Sequence, residues 1–302
     1  MAKQHVKSII RDTRADRIAV GFMYVFLAVV TAIVLYPLLY VVSASFSSPS
    51  AVANGKVFLW PVEPTLMGYE AVFQNQRIGT GFLNSLFYLV AGTAVNLAMT
   101  MMAAYPLSRR EFYGRKVITG IFVFTMYFSG GLVPSYMLVK NLGLLDTRMA
   151  LILPVAMSVW NVVIARTYLQ STIPDALFEA ATIDGCGEIK FFFRIVLPLS
   201  APILAVLALY YGVGHWNSYF NAMIYLKSPD LYPLQIILRD ILLLGNIDPT
   251  MITDAAALEK MQGLSNLLKY AVIVVASVPM MCIYPFVQKH FVKGVMIGSL
   301  KG

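Results

Sequence analysis

The stretch STIPDALFEAATIDGCGEIKFFFRIVLPLSAP, residues 171–202, separates two long apolar windows and carries six charged residues of its own. Pro174 suits the first turn of a short helix, where its missing N–H costs nothing. Asp175 beside that N-terminus is favourable to the helix dipole. Ala176 to Ile183 are good helix formers, and Gly185 lets the chain turn just past a helix end. A second amphipathic run, EIKFFFRIVLP, follows and is expected to stop at Pro198. The spacing predicts a compact helix–turn–helix. A purely structural loop of about 30 residues would be unusual, so the segment reads as a short rigid helix presented to a soluble partner.

Working outward, the flanking windows are long enough to cross a bilayer, which takes about 20 apolar residues. Windows free of charge place helices over residues 18–45, 81–105, 117–139, 149–165, between Arg194 and Lys227, and over residues 270–288. Arg166, at the end of the fourth, is placed to snorkel. These are continuous runs, not the alternating segments of a barrel. The expected fold is therefore an all-α integral membrane protein with six transmembrane helices, spanning residues 18–288, with tails at 1–17 and 289–302. The first window carries Ser43-Ala44-Ser45, which imitates a cleavage site, but its apolar stretch is near 27 residues. A signal core is about 7–15, so a retained anchor is expected.

Composition agrees. Of 302 residues, 59% are hydrophobic and 13% charged, against about 25% charged in a soluble domain. Such a chain cannot cover a surface facing water. Six spans put both termini on one side. Lys and Arg fix that side: fifteen fall in the two tails and in the loops after helices two and four, eight on the other face. Both termini are expected in the cytoplasm of the cell membrane. The net charge of +8 is then mostly topology and attraction to lipid headgroups, and no basic soluble module for nucleic acid is found. Cys186 and Cys282 make no disulfide framework, and His5, His215 and His290 make no metal cluster. No phosphate-cradling GxxxxGK[ST] is present, nor HExxH or GxSxG, so no catalytic residue is assigned.

The loop resembles the EAA motif of binding-protein-dependent ABC importer permeases. Glu179-Ala180-Ala181, Gly185, Ile195, Leu197 and Pro198 stand at the motif's spacings, seven fixed positions over twenty residues. Cys186 departs from the Ala often found there. Likeness to carbohydrate-uptake permeases extends through "EAATIDG" and the tail "FVKGVMIGSLKG". "FSGGLVPSYMLVKNLGLLDTRMALILP" and "GHWNSYFNAMIYL" are similar to permeases for aldouronate and other oligosaccharides. The resemblance implies a type I importer-like permease with a cytoplasmic coupling helix in residues 171–198. It implies a second homologous permease subunit, two ATP-binding cassette subunits that would bind the ATP and its Mg in place of this chain, and an external sugar-binding protein. Glu179, Ala180, Ala181, Asp184, Gly185 and Pro198 would then couple to the ATPase.

For the pathway, sugar recognition calls for aromatic faces and neutral polar groups. The fifth window offers His215, Trp216, Asn217, Tyr219 and Asn221. Polar groups in a span usually face a cavity or another helix. Asn84, Ser85, Asn96, Ser158 and Asn161 read equally well as interhelical glue, and Gly212 and Gly214 as sites of a kink or close packing. Another solute, such as a polyol or glycerol phosphate, stays open. A secondary transporter is disfavoured, because the six spans hold no Asp or Glu for coupling.

Overall fold

The computed structural model describes residues 13–244, 263 and 265–283. The start of the N-terminal tail, the acids Asp248, Asp254 and Glu259, and the whole C-terminal tail lie outside the described residues. The chain divides into two units, residues 1–70 with 248–274, and residues 71–247 with 275–302.

In the first unit, helix α1 covers Arg14–Ser45. Thr13 and Asp16 start it with a reciprocal capping box. Ile18, Phe22, Phe26, Ile33 and Leu38 are among its exposed side chains, and only Ser43, Ala44 and Ser45 are buried. That surface suits lipid. Helix α2 (Pro49–Ala53) follows, capped by Ser48. Ala44, Ala51 and Val57 make a small core against Tyr40 and Tyr270. Helix α3 covers Met67–Gln74 and runs from this unit into the second.

In the second unit, α4 (Gln76–Phe87), a π-helical turn (Tyr88–Gly92) and α5 (Thr93–Ser108) form one continuous helix of 33 residues. Next come α6 (Arg115–Tyr127) and α7 (Leu132–Asn141), bent by 115°. Two 3-10 turns within Arg148–Val155 lead, across a 52° bend, into α8 (Val159–Thr172). Then come α9 (Asp175–Ile183), α10 (Glu188–Phe191), a second π turn (Phe192–Val196) and α11 (Leu197–Leu199). A 78° bend separates Glu188–Leu199 from α12 (Ala201–Trp216). The unit continues with α13 (Phe220–Tyr225) and α14 (Leu234–Leu244). Helix α15, Ser265–Ile283, is the last described and runs from the first unit into the second.

Among the described residues three unbroken helices are long and apolar enough to cross a membrane, α1, α4–α5 and α15, and six spans result if each bent pair counts as one. The expected third, fourth and fifth windows are therefore not single helices. The third breaks at Phe128, whose extended ψ of 96° ends α6, and at Gly131, with φ +83. The fourth runs on to Thr172, so Arg166 lies inside α8 and not at its end. The expected stop at Pro198 moves to Ser200. The π ladder closes with the Leu197 N–H on the Phe192 carbonyl. Pro198 follows with no donor to lose, and the Ser200 N–H resumes on the Val196 carbonyl at 2.9 Å.

The core of this unit is a helix pair. Met101, Ala104 and Leu107 of α5 share a buried cluster with Val162, Ala165 and Leu169 of α8. The spacing of three and four puts each set on one face, and the two alanines let the backbones approach.

Candidate functional site

The loop between α8 and α12 is built by local chemistry. Pro174 stands just before α9, one position earlier than a first-turn proline, with ψ 146. The far end of α9 is a Schellman turn: Cys186 N–H donates to the Ala181 carbonyl at 2.8 Å and Gly185 N–H to the Thr182 carbonyl at 3.0 Å. Gly185 has φ +75, the left-handed conformation this turn needs. The spacing of the alanine pair and the glycine follows from that geometry. Ala181 is buried with Phe191, Val196 and Leu169, while Glu179, Ala180 and Asp184 stay exposed. Leu177, Ile183, Ile189 and Phe193 are also exposed, Ile183 by 87%. The loop therefore offers exposed acids, Glu179 and Asp184 among them, and several apolar side chains to its surroundings. Pro198 is exposed at the end of the second helix.

Arg109 holds this loop in place. Its guanidinium lies 3.9 Å above the Phe178 ring and 3.8 Å from Asp175, and the residue is buried. Phe178 meets Phe191 edge-on at 5.1 Å. The Tyr105 hydroxyl donates to Glu188 at 2.7 Å. Both helices of the loop are thus attached to the end of α5. Arg166 Nε donates to the Leu107 carbonyl at 3.0 Å, satisfying a helix-end carbonyl instead of snorkelling to lipid.

A buried polar network occupies the other end of the α5–α8 pair. The bend before α8 frees backbone groups, and inside a membrane these need partners. The Tyr211 hydroxyl accepts from the Ser158 N–H at 3.1 Å and shares a 2.7 Å bond with Thr100. The Asn96 amide donates to the Val155 carbonyl and turns its oxygen to His215 Nε2 at 2.6 Å. The imidazole must therefore donate from Nε2. Gly92, in the π turn, makes room for it: a Cβ there would stand 2.4 Å from that nitrogen.

The five expected pathway residues divide. His215 and Trp216 are buried and engaged, the indole donating to the Ala276 carbonyl at 3.0 Å. Asn217 and Tyr219 are exposed and Asn221 half-buried. Asn217 donates to the Val213 carbonyl at 3.0 Å. Asn84 donates to the carbonyls of Asp230 and Tyr232, and Ser85 accepts from the Leu234 N–H; both join elements. The tying residues Arg109, Tyr211 and Gly92 were not singled out from sequence. Arg109 read only as topology, and its partners are 66 and 69 positions away.

Bent apolar spans packed on one helix pair, joined by a compact helix–turn–helix, are the architecture of a membrane-spanning subunit. Residues 96–297 match the family of binding-protein-dependent transport system inner membrane components, and the chain belongs to that family. Protein LplC of Bacillus subtilis (strain 168) is 42% identical over the whole of both chains. The polygalacturonan/rhamnogalacturonan transport system permease protein YtcP of the same organism is 40% identical over 93% of this chain and 97% of its own. In the crystal structure of a bacterial ABC transporter involved in the import of the acidic polysaccharide alginate, one chain aligns with a TM-score of 0.86. It is 33% identical, over 93% of this chain and 99% of that one.

Proposed function

We propose that the chain is one of two permease subunits lining the pathway of an ATP-driven oligosaccharide importer, with the exposed face of α9 docking on a separate ATPase. The observation that carries this is the loop itself. A Schellman turn fixes α9 rigidly, its inner face is buried against α5 and α8, and its outer face presents Glu179 amid apolar side chains. A helix fastened to the transmembrane bundle by Arg109 and Tyr105 transmits displacement as a rigid body. A second permease, two ATPase subunits and an external binding protein complete the assembly. The excess of Lys and Arg in the tails and in the loops after helices two and four supports both termini in the cytoplasm, on the side of α9.

In this reading Asn217, Tyr219 and Asn221 face the path, and His215 and Trp216 hold the backbone that presents them. An oligosaccharide is favoured because relatives transport such polymers. Uronate-bearing ones come first in a screen, since YtcP is named for polygalacturonan and rhamnogalacturonan, and alginate is acidic.

The test is ATP-driven uptake of labelled oligosaccharides by the whole complex in proteoliposomes. Gly185→Pro removes the N–H bonded to Thr182 and cannot hold φ +75. Uptake should vanish while the chain still inserts and assembles with the second permease. Normal uptake in that variant would sink the coupling assignment.

A further inference from the structure

We propose that the cleft beside the start of α9 is a binding site for a phosphate-bearing anion, of the class carried by anionic phospholipid headgroups. The cleft holds about 460 Å³, and Tyr105, Ser108, Arg109, Arg110, Arg115 and Gln170 are among its lining residues. Its other lining residues are the buried Leu169 and Ile173, with Pro174 and Asp175 at one side. Three guanidinium groups thus face one carboxylate.

The ion pairs in it are loose. Arg109 stands 3.8 Å from Asp175 and 3.5 Å from Glu111, and Arg110 stands 3.4 Å from Asp175. Well-formed charge-assisted bonds are about 2.7–2.9 Å. The Arg109 side chain is 9% exposed, and its Nε is buried with no hydrogen-bond partner among the described residues. A buried guanidinium donor left open is costly, so Arg109 has bonding capacity that its loose ion pairs leave unused. Of the nearby carboxylates, Glu111 is exposed at the rim and Glu188 is engaged by Tyr105. Lys116 adds a further exposed cation next to Arg115. The N-terminus of α9 has no side-chain cap, and its dipole also favours an anion.

Position identifies the source. The cleft lies where α5 and α8 end and α6 begins, the depth at which spans leave the hydrocarbon and headgroup phosphates sit. Basic pockets between helix ends at that depth suit anionic lipid headgroups. An occupant there shares Arg109 and Arg110 with Asp175, so it acts on the residue that opens the coupling helix. Binding itself is independent of the transport reading, because it is measured on this chain by itself.

The purified full chain in a non-ionic detergent is titrated with dihexanoyl-phosphatidylglycerol, dihexanoyl-phosphatidylcholine and inorganic phosphate, and binding is followed by thermophoresis. Saturable binding of phosphatidylglycerol is expected, weakened about tenfold by Arg115→Gln and comparably by Arg109→Lys, which keeps the charge and loses Nε. If inorganic phosphate competes at the same site, a soluble phosphate suffices as ligand. If it does not, the headgroup is required. Should Arg109→Lys fail to fold, Arg115→Gln and the exposed Arg110→Gln carry the test. Equal binding of phosphatidylcholine, no saturable binding of either anion, or affinity untouched by the arginine substitutions overturns the site.

Discussion

At the scale of single residues, two glycines matter for different reasons. Gly185 has open space around it, so a Cβ there meets nothing within 4 Å, and only its φ of +75 restricts substitution. Gly185→Ala should therefore cost about 1–2 kcal/mol from backbone strain alone, and transport should be weakened, not abolished. Gly92 has an ordinary conformation but no room. Gly92→Ala would push the imidazole of His215 off Asn96, an overpacking cost of about 1–3 kcal/mol. Gly212→Ala is the control, since its Cβ would sit a comfortable 3.7 Å from Thr93. Thermal unfolding in detergent should separate the two, and equal midpoints would contradict the close-approach argument. Sequence pointed to Gly185, because turn chemistry is local. It pointed to Gly212 and Gly214 rather than Gly92, because the imidazole that crowds Gly92 comes from 123 positions away.

At the scale of elements, the interruption before α8 is supported from outside itself. The bend before α8 survives because Tyr211 and Asn96, on two other helices, receive its freed N–H and carbonyl. Tyr211→Phe keeps the ring and removes the hydroxyl, leaving the Ser158 N–H and the Thr100 hydroxyl short of a partner. The expected loss is about 1–2 kcal/mol, read as a lower unfolding midpoint. An unchanged midpoint would mean that the bend holds without it. The π turn at Tyr88–Gly92 and the one at Phe192–Val196 belong to the same class of feature. Each shifts the ladder by one residue, so that a glycine meets an imidazole in one case and a proline is tolerated in the other. Apolar run length showed where the helices are. It could not show these breaks, since lipid-compatible composition continues straight through them.

At the scale of the whole molecule, ties between distant loops flank the spans. The Asp146 carboxylate accepts from the N–H groups of Lys227 and Ser228, both at 2.8 Å, and from the Ser228 hydroxyl at 2.6 Å. These bonds, the Ser228 hydroxyl first, hold its pKa below the usual carboxylate value, with the Lys227 charge a smaller contribution in the same direction. A depressed folded pKa gives stability that is complete above the unfolded value, about 4, and is lost as pH falls through the lower folded value. The unfolding midpoint of the wild-type chain should exceed that of Asp146→Asn from neutral pH down to about 4, with the gap closing below. A gap that widened in acid would reverse the assignment.

The sequence by itself determined the membrane class, the approximate place of six apolar windows, and the helix–turn–helix of residues 171–198. Hydrophobic length, helix ends and glycine turns act over a few residues, so they can be read along the chain. Only the tertiary structure decided that three windows are bent, that Arg109 and Tyr105 secure the loop of residues 171–198, and that His215 and Trp216 are buried among other helices. The loop ties, the buried pair and the bend before α8 depend on partners dozens of positions away, brought near because a polar group inside a membrane must find another; the other two bends follow local backbone geometry.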